Sequence, residues 1–258
     1  MNIDPMLLDE VEDKSILQDP KKIKQEKANG VRCLIHIKNH KIVGIRGRSN
    51  NPLLFCYPEL KEITFSFDTA ILDGEACVFK EGKSVFYGGI DQRRTAPTTS
   101  RMRDYPVTLI IFDILQFEKE VLIYKPYHQR LNIIESNILP TDRIKVVEST
   151  YDGQALWDNI VKDNREGVVI KDPNAIYELG KRSKQYLKLK NYKYVDVIVE
   201  KTEPNAKGTK IYSHVEIDGK IIDLECQRAG AFNINVGDNV RVKYLDIIDN
   251  RLIQPTNY

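Results

Sequence analysis

The sequence predicts an α+β protein in which antiparallel sheet dominates and a small β-barrel follows. Segments with alternating apolar residues outnumber segments with helical spacing, and the two kinds do not form a regular strand–helix repeat. After residue 190 the chain contains short alternating segments separated by turns with Gly or Asn. We therefore expect a larger mixed domain and a smaller all-β domain.

The larger domain begins with a lead-in over residues 1–26, where we expect a short helix near residues 6–11. Residues 31–37 and 42–45 alternate as paired strands do, and residues 38–41 form the predicted hairpin turn between them. Further strands are predicted at 69–72, 75–79, 107–112 and 167–170, and helices at 126–138 and 153–163.

The smaller domain has the texture of a closed barrel. Five short strands in about 65 residues match the size of a small barrel such as an OB-fold. A boundary near residues 191–194 gives predicted domains of 1–191 and 192–258. The clearest strands are predicted at 195–200, 212–217, 221–226 and 239–244.

Composition limits the class of protein but not its function. The 258-residue chain is 41% hydrophobic, enough for a sizeable core, and its net charge of +2 provides no overall attraction to nucleic acid. The four cysteines are scattered without a CxxC pair, which favours reduced thiols over disulfides or a zinc site. Neither a signal peptide nor an apolar run of roughly 18 residues is found. We expect an intracellular, cytoplasmic monomer without a membrane partner, and a virus or phage origin stays open.

Five segments place charged or aromatic residues beside predicted strands. Lys27 precedes a strand, Glu75 follows one, and Glu166 stands just before a buried one. Lys188 and Lys190 share one strand face, because side chains two residues apart point the same way. The segments are KANGVR at 27–32, ILDGE at 71–75, IFDIL at 111–115, REGVVIK at 165–171 and YLKLK at 186–190.

These segments resemble, in order and spacing, motifs I, III, IIIa, IV and V of the covalent nucleotidyltransferases. That superfamily contains ATP-dependent DNA ligases, RNA ligases and mRNA capping enzymes. Residues 47–49, GRS, are similar to its arginine-bearing motif Ia. The resemblance covers residues 25–190, and the predicted barrel agrees with the second domain of the family. One motif would be weak, whereas six in register favour a minimal two-domain ATP-dependent DNA ligase.

The resemblance implies that Lys27 attacks the α-phosphorus of ATP, releases pyrophosphate and becomes a lysyl–AMP. The AMP then passes to the 5′-phosphate at a nick in duplex DNA, and the neighbouring 3′-hydroxyl displaces it, in replication or in repair. A free lysine is protonated at neutral pH. We therefore expect Lys188, Lys190 and a bound Mg²⁺ or Mn²⁺ ion to lower the pKa of Lys27 and to neutralise phosphate charge.

Other roles follow from the same motifs, position by position. Glu166, with Glu75, would hold the catalytic metal ion. The implied nucleotide contacts are Gln25 at the adenine amino group, Arg32 and Glu75 at the ribose hydroxyls, Arg48 at a phosphate, Phe112 at the adenine face and Lys188 at the α-phosphate.

Two positions depart from the family pattern. Motif I usually reads KxDG, and Asn29 stands where the aspartate is expected. Asparagine keeps the turn-forming role but lacks the negative charge. The basic motif VI near the C-terminus is hard to find, and Arg251 is its best candidate.

A nicked duplex requires phosphate contacts on both sides of the break. The loop over residues 88–103 is long and rich in arginine, and it is the preferred candidate for these contacts. The predicted DNA-binding residues are Arg93, Arg94, Lys181, Arg182 and Arg251.

Two other functions stay open. An RNA ligase of the same superfamily would share these motifs, and a capping enzyme is disfavoured because its usual pattern after motif V is not found. A non-catalytic nucleic-acid-binding module would depend on the OB-fold alone. It would gain no AMP from ATP and Mg²⁺, and joining of DNA or RNA nicks separates the two ligases.

Overall fold

The computed structural model describes residues 3–206, 208–228 and 234–257. The chain divides into two compact units, Met1–Leu189 and Lys190–Tyr258. The predicted boundary after residue 191 lies two residues from this division. Among the described residues, no helix combines the length and apolar composition needed to cross a bilayer.

The first unit is mostly sheet with a few short helices, so the predicted α+β class is confirmed. Its helices are α1 (Thr99–Asp104), α2 (Tyr127–Asn137) and α3 (Gly153–Lys162), with short 3₁₀ turns at Lys14–Gln18, Pro58–Glu62 and Ile90–Arg93. Its strands are β1 (Leu7–Glu10), β2 (Ile23–Glu26), β3 (Val31–Lys38), β4 (Lys41–Arg46), β5 (Ala70–Lys80), β6 (Lys83–Val85), β7 (Val107–Phe117), β8 (Glu120–Val121), β9 (Ile144–Val146), β10 (Ser149–Thr150), β11 (Gly167–Lys171) and β12 (Arg182–Lys190).

Two sheets organise this unit. The larger has the order β4-β3-β5-β7-β8, with β6 paired to β5 and β9 parallel to β7. The smaller has the order β1-β12-β11-β2-β10. The predicted hairpin joins β3 to β4 through Asn39 and His40, which have φ of 52° and 63°. Positive φ at both central residues fits the tight turn that hairpins favour.

Two strands are longer than predicted. β5 runs through both strands predicted at 69–72 and 75–79, and β7 continues past the predicted 107–112, so the strand ends predicted near residues 73 and 112 are wrong. Register shifts pair Asp73 with Asp113 and Gly74 with Ile111, which leaves Phe112 as an extra residue in β7. A Cβ on Gly74 would lie 2.6 Å from the Ile110 carbonyl oxygen. This glycine therefore permits close strand approach and does not mark a turn.

The predicted helix near residues 6–11 is also wrong. Leu7–Glu10 is strand β1, which pairs in parallel with β12 across most of the first unit's sequence. The apolar spacing of these residues predicts a helix, but hydrogen bonding to the distant strand β12 makes the segment a strand. The helices predicted at 126–138 and 153–163 correspond closely to α2 and α3.

The second unit contains two sheets that share one apolar cluster, which includes Val197, Ile211, Leu224 and Val242. One sheet has the order β13-β17-β20 and the other β14-β15-β16-β19-β18. The strands are β13 (Lys193–Ile198), β14 (Lys201–Asn205), β15 (Gly208–Ile217), β16 (Lys220–Arg228), β17 (Asn239–Tyr244), β18 (Asp246–Ile248), β19 (Arg251–Ile253) and β20 (Thr256–Asn257).

Candidate active site

A cavity of about 210 Å³ lies in the first unit, between residues contributed by both of its sheets. The predicted nucleotide-binding residues other than Glu166 come together here with Lys27, although they are far apart in the sequence. Those that line it are Gln25, Lys27, Arg32, Arg48, Glu75, Phe112 and Lys188.

Lys27 follows β2 directly, and its backbone N–H donates to the Gly167 carbonyl oxygen at 2.9 Å. This bond holds Lys27 beside the start of β11, where Glu166 stands. Lys27 Nζ lies 2.8 Å from Glu166 Oε1, with side-chain exposures of 20% and 8%. The structure therefore brings the predicted nucleophile and the predicted metal ligand into one ion pair.

The pKa of Lys27 does not shift in the predicted direction. Burial lowers the pKa, but the carboxylates of Glu166 and Glu75 outweigh it, and the result is raised. Lys188 Nζ is paired with Glu10 Oε2 at 3.0 Å. The expectation that lysines depress the pKa of Lys27 is therefore wrong for the chain by itself, because two carboxylates dominate its surroundings.

Glu75 is the second acidic group beside Lys27. Burial raises its pKa to about 7, although Lys27 and Arg32 act in the opposite direction. The two carboxylates offer the hard oxygen ligands that Mg²⁺ prefers. In the described residues no group of three His, Cys, Asp or Glu side chains could hold a metal ion. A site of two carboxylates fits an ion that keeps several waters and takes its other ligands from phosphates.

Arg32 is held by a residue that sequence reasoning missed. Its Nε and Nη2 both donate to the carboxylate of Asp73, which also accepts a hydrogen bond from Tyr177. The guanidinium carbon lies 4.7 Å from the centre of the Phe112 ring. Alternation along β5 could have indicated Asp73, because it shares a strand face with Glu75.

A second buried cluster underlies the cavity. Arg130 donates to Asp113 through Nε at 2.7 Å and Nη2 at 3.0 Å, and Tyr186 Oη accepts from the same guanidinium at 2.6 Å. Lys171 Nζ donates to the Phe112 carbonyl oxygen at 3.0 Å and lies 4.1 Å from the centre of the Tyr127 ring. Nothing in the spacing of these residues along the chain indicates that they meet.

Gln25 is almost fully buried, at 1% exposure. It lies on β2, opposite Ser149 of β10 and Val169 of β11. Its side-chain Nε2 donates to Tyr127 Oη at 2.6 Å and to Ser149 Oγ at 2.9 Å. The predicted adenine-reading residue is therefore held firmly in the cavity wall.

The remaining predicted residues fall into different surroundings. In the described part of the chain, Lys190 does not line the cavity, and its Nζ donates to Tyr192 Oη at 3.2 Å and to Gln254 Oε1 at 3.1 Å. Asn29 donates its backbone N–H to Ser84 Oγ at 2.9 Å.

Arg93 cannot contact DNA. Its side chain is 0% exposed, and its guanidinium donates to both carboxylate oxygens of Glu59 at 2.7 and 2.8 Å. That DNA-binding prediction is wrong, because the loop over residues 88–103 includes a 3₁₀ turn that packs Ile90 and Arg93 inward. The other four predicted DNA contacts are exposed: Arg94, Lys181, Arg182 and Arg251.

Comparison with known families agrees with this geometry. Residues 5–190 match the family model described as the ATP dependent DNA ligase domain, which covers well over half of the chain. The chain belongs to the ATP-dependent DNA ligase domain family.

Two curated ligase relatives differ in length. The SPbeta prophage-derived DNA ligase-like protein LigB of Bacillus subtilis is 29% identical over 200 residues, which cover 77% of this chain and 71% of that protein. DNA ligase 1 of Methanosarcina acetivorans is 32% identical over 189 residues, 66% of this chain and 32% of that protein. The match thus spans about a third of the archaeal relative.

Solved ligase structures share the fold. The ligase domain of LigD from M. tuberculosis superposes with a TM-score of 0.64 at 18% identity, covering 100% of this chain and 94% of that chain. A structure from work on Lig E DNA ligases gives a TM-score of 0.69 at 17% identity, covering 100% of this chain and 99% of that one.

In this ligase-family chain, Lys171 should make stability depend on pH. Burial lowers its pKa to about 7, although Asp113 opposes the shift, whereas an unfolded lysine has a pKa of about 10.4. Between these values the unfolded chain binds a proton that the folded chain does not. The free energy of unfolding therefore rises with pH there, by up to about 1.4 kcal/mol per pH unit from this group.

Lys171→Met should remove that contribution. We expect the unfolding free energy of the wild type minus that of the variant, measured with urea, to increase between about pH 7.5 and 9. Parallel pH profiles for the two proteins would show that Lys171 is not held as a neutral amine.

Proposed function

We propose that this chain is an ATP-dependent DNA ligase that seals 5′-phosphate/3′-hydroxyl nicks in duplex DNA. It would act through a lysyl–AMP on Lys27 and an adenylated DNA end. The observation that carries the proposal is the ion pair between Lys27 and Glu166 beside a cavity lined by Arg32, Arg48 and Lys188. A lysine amine, two carboxylates and three cations suit the transfer of a nucleotidyl group.

The proposed first step forms a bond between Lys27 Nζ and the α-phosphorus of ATP and breaks the bond to pyrophosphate. Lys27 must lose a proton before it attacks, and its own neighbours Glu166 and Glu75 hold it as an ammonium. A divalent cation on these carboxylates would supply positive charge beside the reacting phosphate. We assign Glu166 and Glu75 to that ion.

Cationic side chains give the cavity its affinity for phosphate in this proposal. Lys188 is assigned to the α-phosphate, and Arg48, exposed at the cavity edge, to another phosphate. Arg32, fixed by Asp73, and Glu75 are assigned to the ribose hydroxyls. Charge neutralisation by Lys190 stays a prediction.

The second unit is proposed to be an OB-fold domain. Two sheets around one apolar cluster, in a unit that begins at Lys190, support this assignment. The first unit is then the nucleotidyltransferase domain. For the nicked duplex, exposed Arg94, Lys181 and Arg182 are the proposed phosphate contacts in the first unit, and Arg251 in the second.

Intact-protein mass spectrometry after incubation with ATP and Mg²⁺ tests the proposal. We expect the mass of the chain to increase by one AMP, with the modified peptide containing Lys27. The adenylated protein should then seal a nicked DNA duplex and seal a matched nick with RNA strands less well.

Each alternative has its own outcome in this experiment. No AMP adduct would favour a non-catalytic nucleic-acid-binding module. Adduct formation with preferential sealing of RNA would favour an RNA ligase.

A further inference from the structure

A hydrogen-bond chain of fixed direction ends on Gln25 in the cavity wall. Gln25 Nε2 donates to Tyr127 Oη at 2.6 Å, and Tyr127 Oη donates to the Phe112 carbonyl oxygen at 3.0 Å. Ser149 Oγ also accepts from Gln25 Nε2, at 2.9 Å. Gln25 and Tyr127 are 1% and 0% exposed, so water does not replace these bonds readily.

The direction of the chain follows from the chemistry of its members. A tyrosine hydroxyl has one hydrogen to donate, and the Phe112 carbonyl oxygen accepts hydrogen bonds but cannot donate one. Because Tyr127 gives that hydrogen to the Phe112 carbonyl oxygen, the Tyr127 oxygen accepts from the amide group of Gln25. A reversed amide would draw the Tyr127 hydrogen to Oε1 and leave the Tyr127 oxygen facing the Phe112 carbonyl oxygen with no hydrogen between them, so one buried hydrogen bond would be lost.

Ser149 does not fix the direction. A serine hydroxyl rotates freely and can donate or accept, so it tolerates either orientation of the Gln25 amide. Lys171 Nζ donates to the same Phe112 carbonyl oxygen at 3.0 Å and makes no contact that would fix the Gln25 amide. Tyr127 is therefore the residue that decides which end of the amide faces the cavity.

The end left for a ligand is the Gln25 carbonyl oxygen. Within the described residues, Oε1 makes no hydrogen bond, although Gln25 is buried and lines the cavity. An acceptor that faces a cavity pairs with an N–H donor on a ligand and repels a second acceptor.

We infer that Tyr127 is a positioning residue that makes the site select a 6-aminopurine nucleotide over a 6-oxopurine nucleotide. The inference rests on the proposed function, which places a purine nucleotide in this cavity. The Gln25 oxygen accepts from the exocyclic amine of adenine, whereas a 6-oxo group would face it as a second acceptor.

The test compares ATP with inosine triphosphate, which carries an oxo group at position 6. The full-length chain is incubated with Mg²⁺ and each nucleotide, and the rate of covalent adduct formation is followed by intact-protein mass spectrometry. We expect the wild type to prefer ATP by about a hundredfold or more.

Tyr127→Phe should lower the ratio of the ATP rate to the inosine triphosphate rate by about tenfold or more, because the amide can then turn and present Nε2. The variant should fold, since Gln25 keeps its bond to Ser149 and the Phe112 carbonyl oxygen keeps its bond to Lys171. Ser149→Ala is the matched control, and its ratio should stay within about threefold of the wild type, because Tyr127 still sets the direction.

A rescue separates positioning from general damage. Gln25→Glu in the Tyr127→Phe background offers a carboxylate, which has no donor end to turn inward. We expect the preference for ATP to return in this double variant. Damage to packing would not be repaired by exchanging an amide for a carboxylate.

The outcomes distinguish the inference from the function beneath it. No adduct on wild-type Lys27 with either nucleotide would reject the proposed function. Adducts with both nucleotides at equal rates in the wild type would reject the positioning role alone. An unchanged ratio in Tyr127→Phe, or a collapsed ratio in Ser149→Ala, would do the same.

Discussion

Lys27→Ala is expected to reduce lysyl–AMP formation and ATP-dependent nick joining by more than about 10³-fold. The substitution removes the amine that attacks the α-phosphorus, which is also the cation paired with Glu166. Sealing of a nick that already carries AMP on its 5′-phosphate should persist in part, because that step needs no lysine nucleophile. Gel assays on nicked and pre-adenylated duplexes measure the two activities separately.

Lys27→Arg is the matched control for charge. Its guanidinium keeps a cation beside Glu166 and Glu75 but does not lose its proton in a protein. We expect folding like that of the wild type and no AMP adduct. Full joining from ATP by either variant would show that the nucleophile is another residue.

The site residues that could be predicted are those that lie on, or directly beside, a single apolar strand. The segments around Lys27, Glu166 and Lys188 could be interpreted one at a time, because each combines an apolar strand with a charged residue at its edge. The hairpin at Asn39 and His40 could also be predicted, since turn chemistry is local.

What the sequence could not predict depends on distant pairing. Asp73 followed by glycine is typical of a turn, yet both lie inside β5, where Gly74 allows close contact with β7. The strand β1 pairs with β12, which lies far from it in the sequence. The pKa of Lys27 depends on which charges lie nearest, and the structure places Glu166 Oε1 2.8 Å from Lys27 Nζ while Lys188 pairs with Glu10.

The burial of a loop residue is also hard to predict from sequence, as two neighbouring arginines show. Arg93 and Arg94 are adjacent, and the sequence predicts DNA contacts for both. The side chain of Arg93 enters the core, where it binds Glu59 and the carbonyl oxygens of Cys56 and Tyr105, each at 2.8 Å. Arg94 is exposed, with its guanidinium carbon 5.8 Å from the centre of the Phe86 ring.

Arg93→Ala is therefore expected to lower the free energy of unfolding by about 3–5 kcal/mol, because it leaves the Glu59 carboxylate and two carbonyl oxygens without their partner. Arg94→Ala should change it by less than about 0.5 kcal/mol. Urea denaturation of both variants measures the difference.

For DNA binding we expect the larger effect from Arg94→Ala and the smaller effect from Arg93→Ala. At a temperature where both variants are folded, Arg94→Ala should weaken nick binding and reduce the salt dependence of the affinity by about one unit of slope, as expected for one lost phosphate contact. Arg93→Ala should leave that slope unchanged, because a side chain with no exposed surface releases no counterions from DNA. Arg93→Ala could instead reduce the salt-dependence slope and leave the free energy of unfolding unchanged. That result would show that the Arg93 guanidinium leaves the core to reach the phosphates and pairs with Glu59 only when DNA is absent.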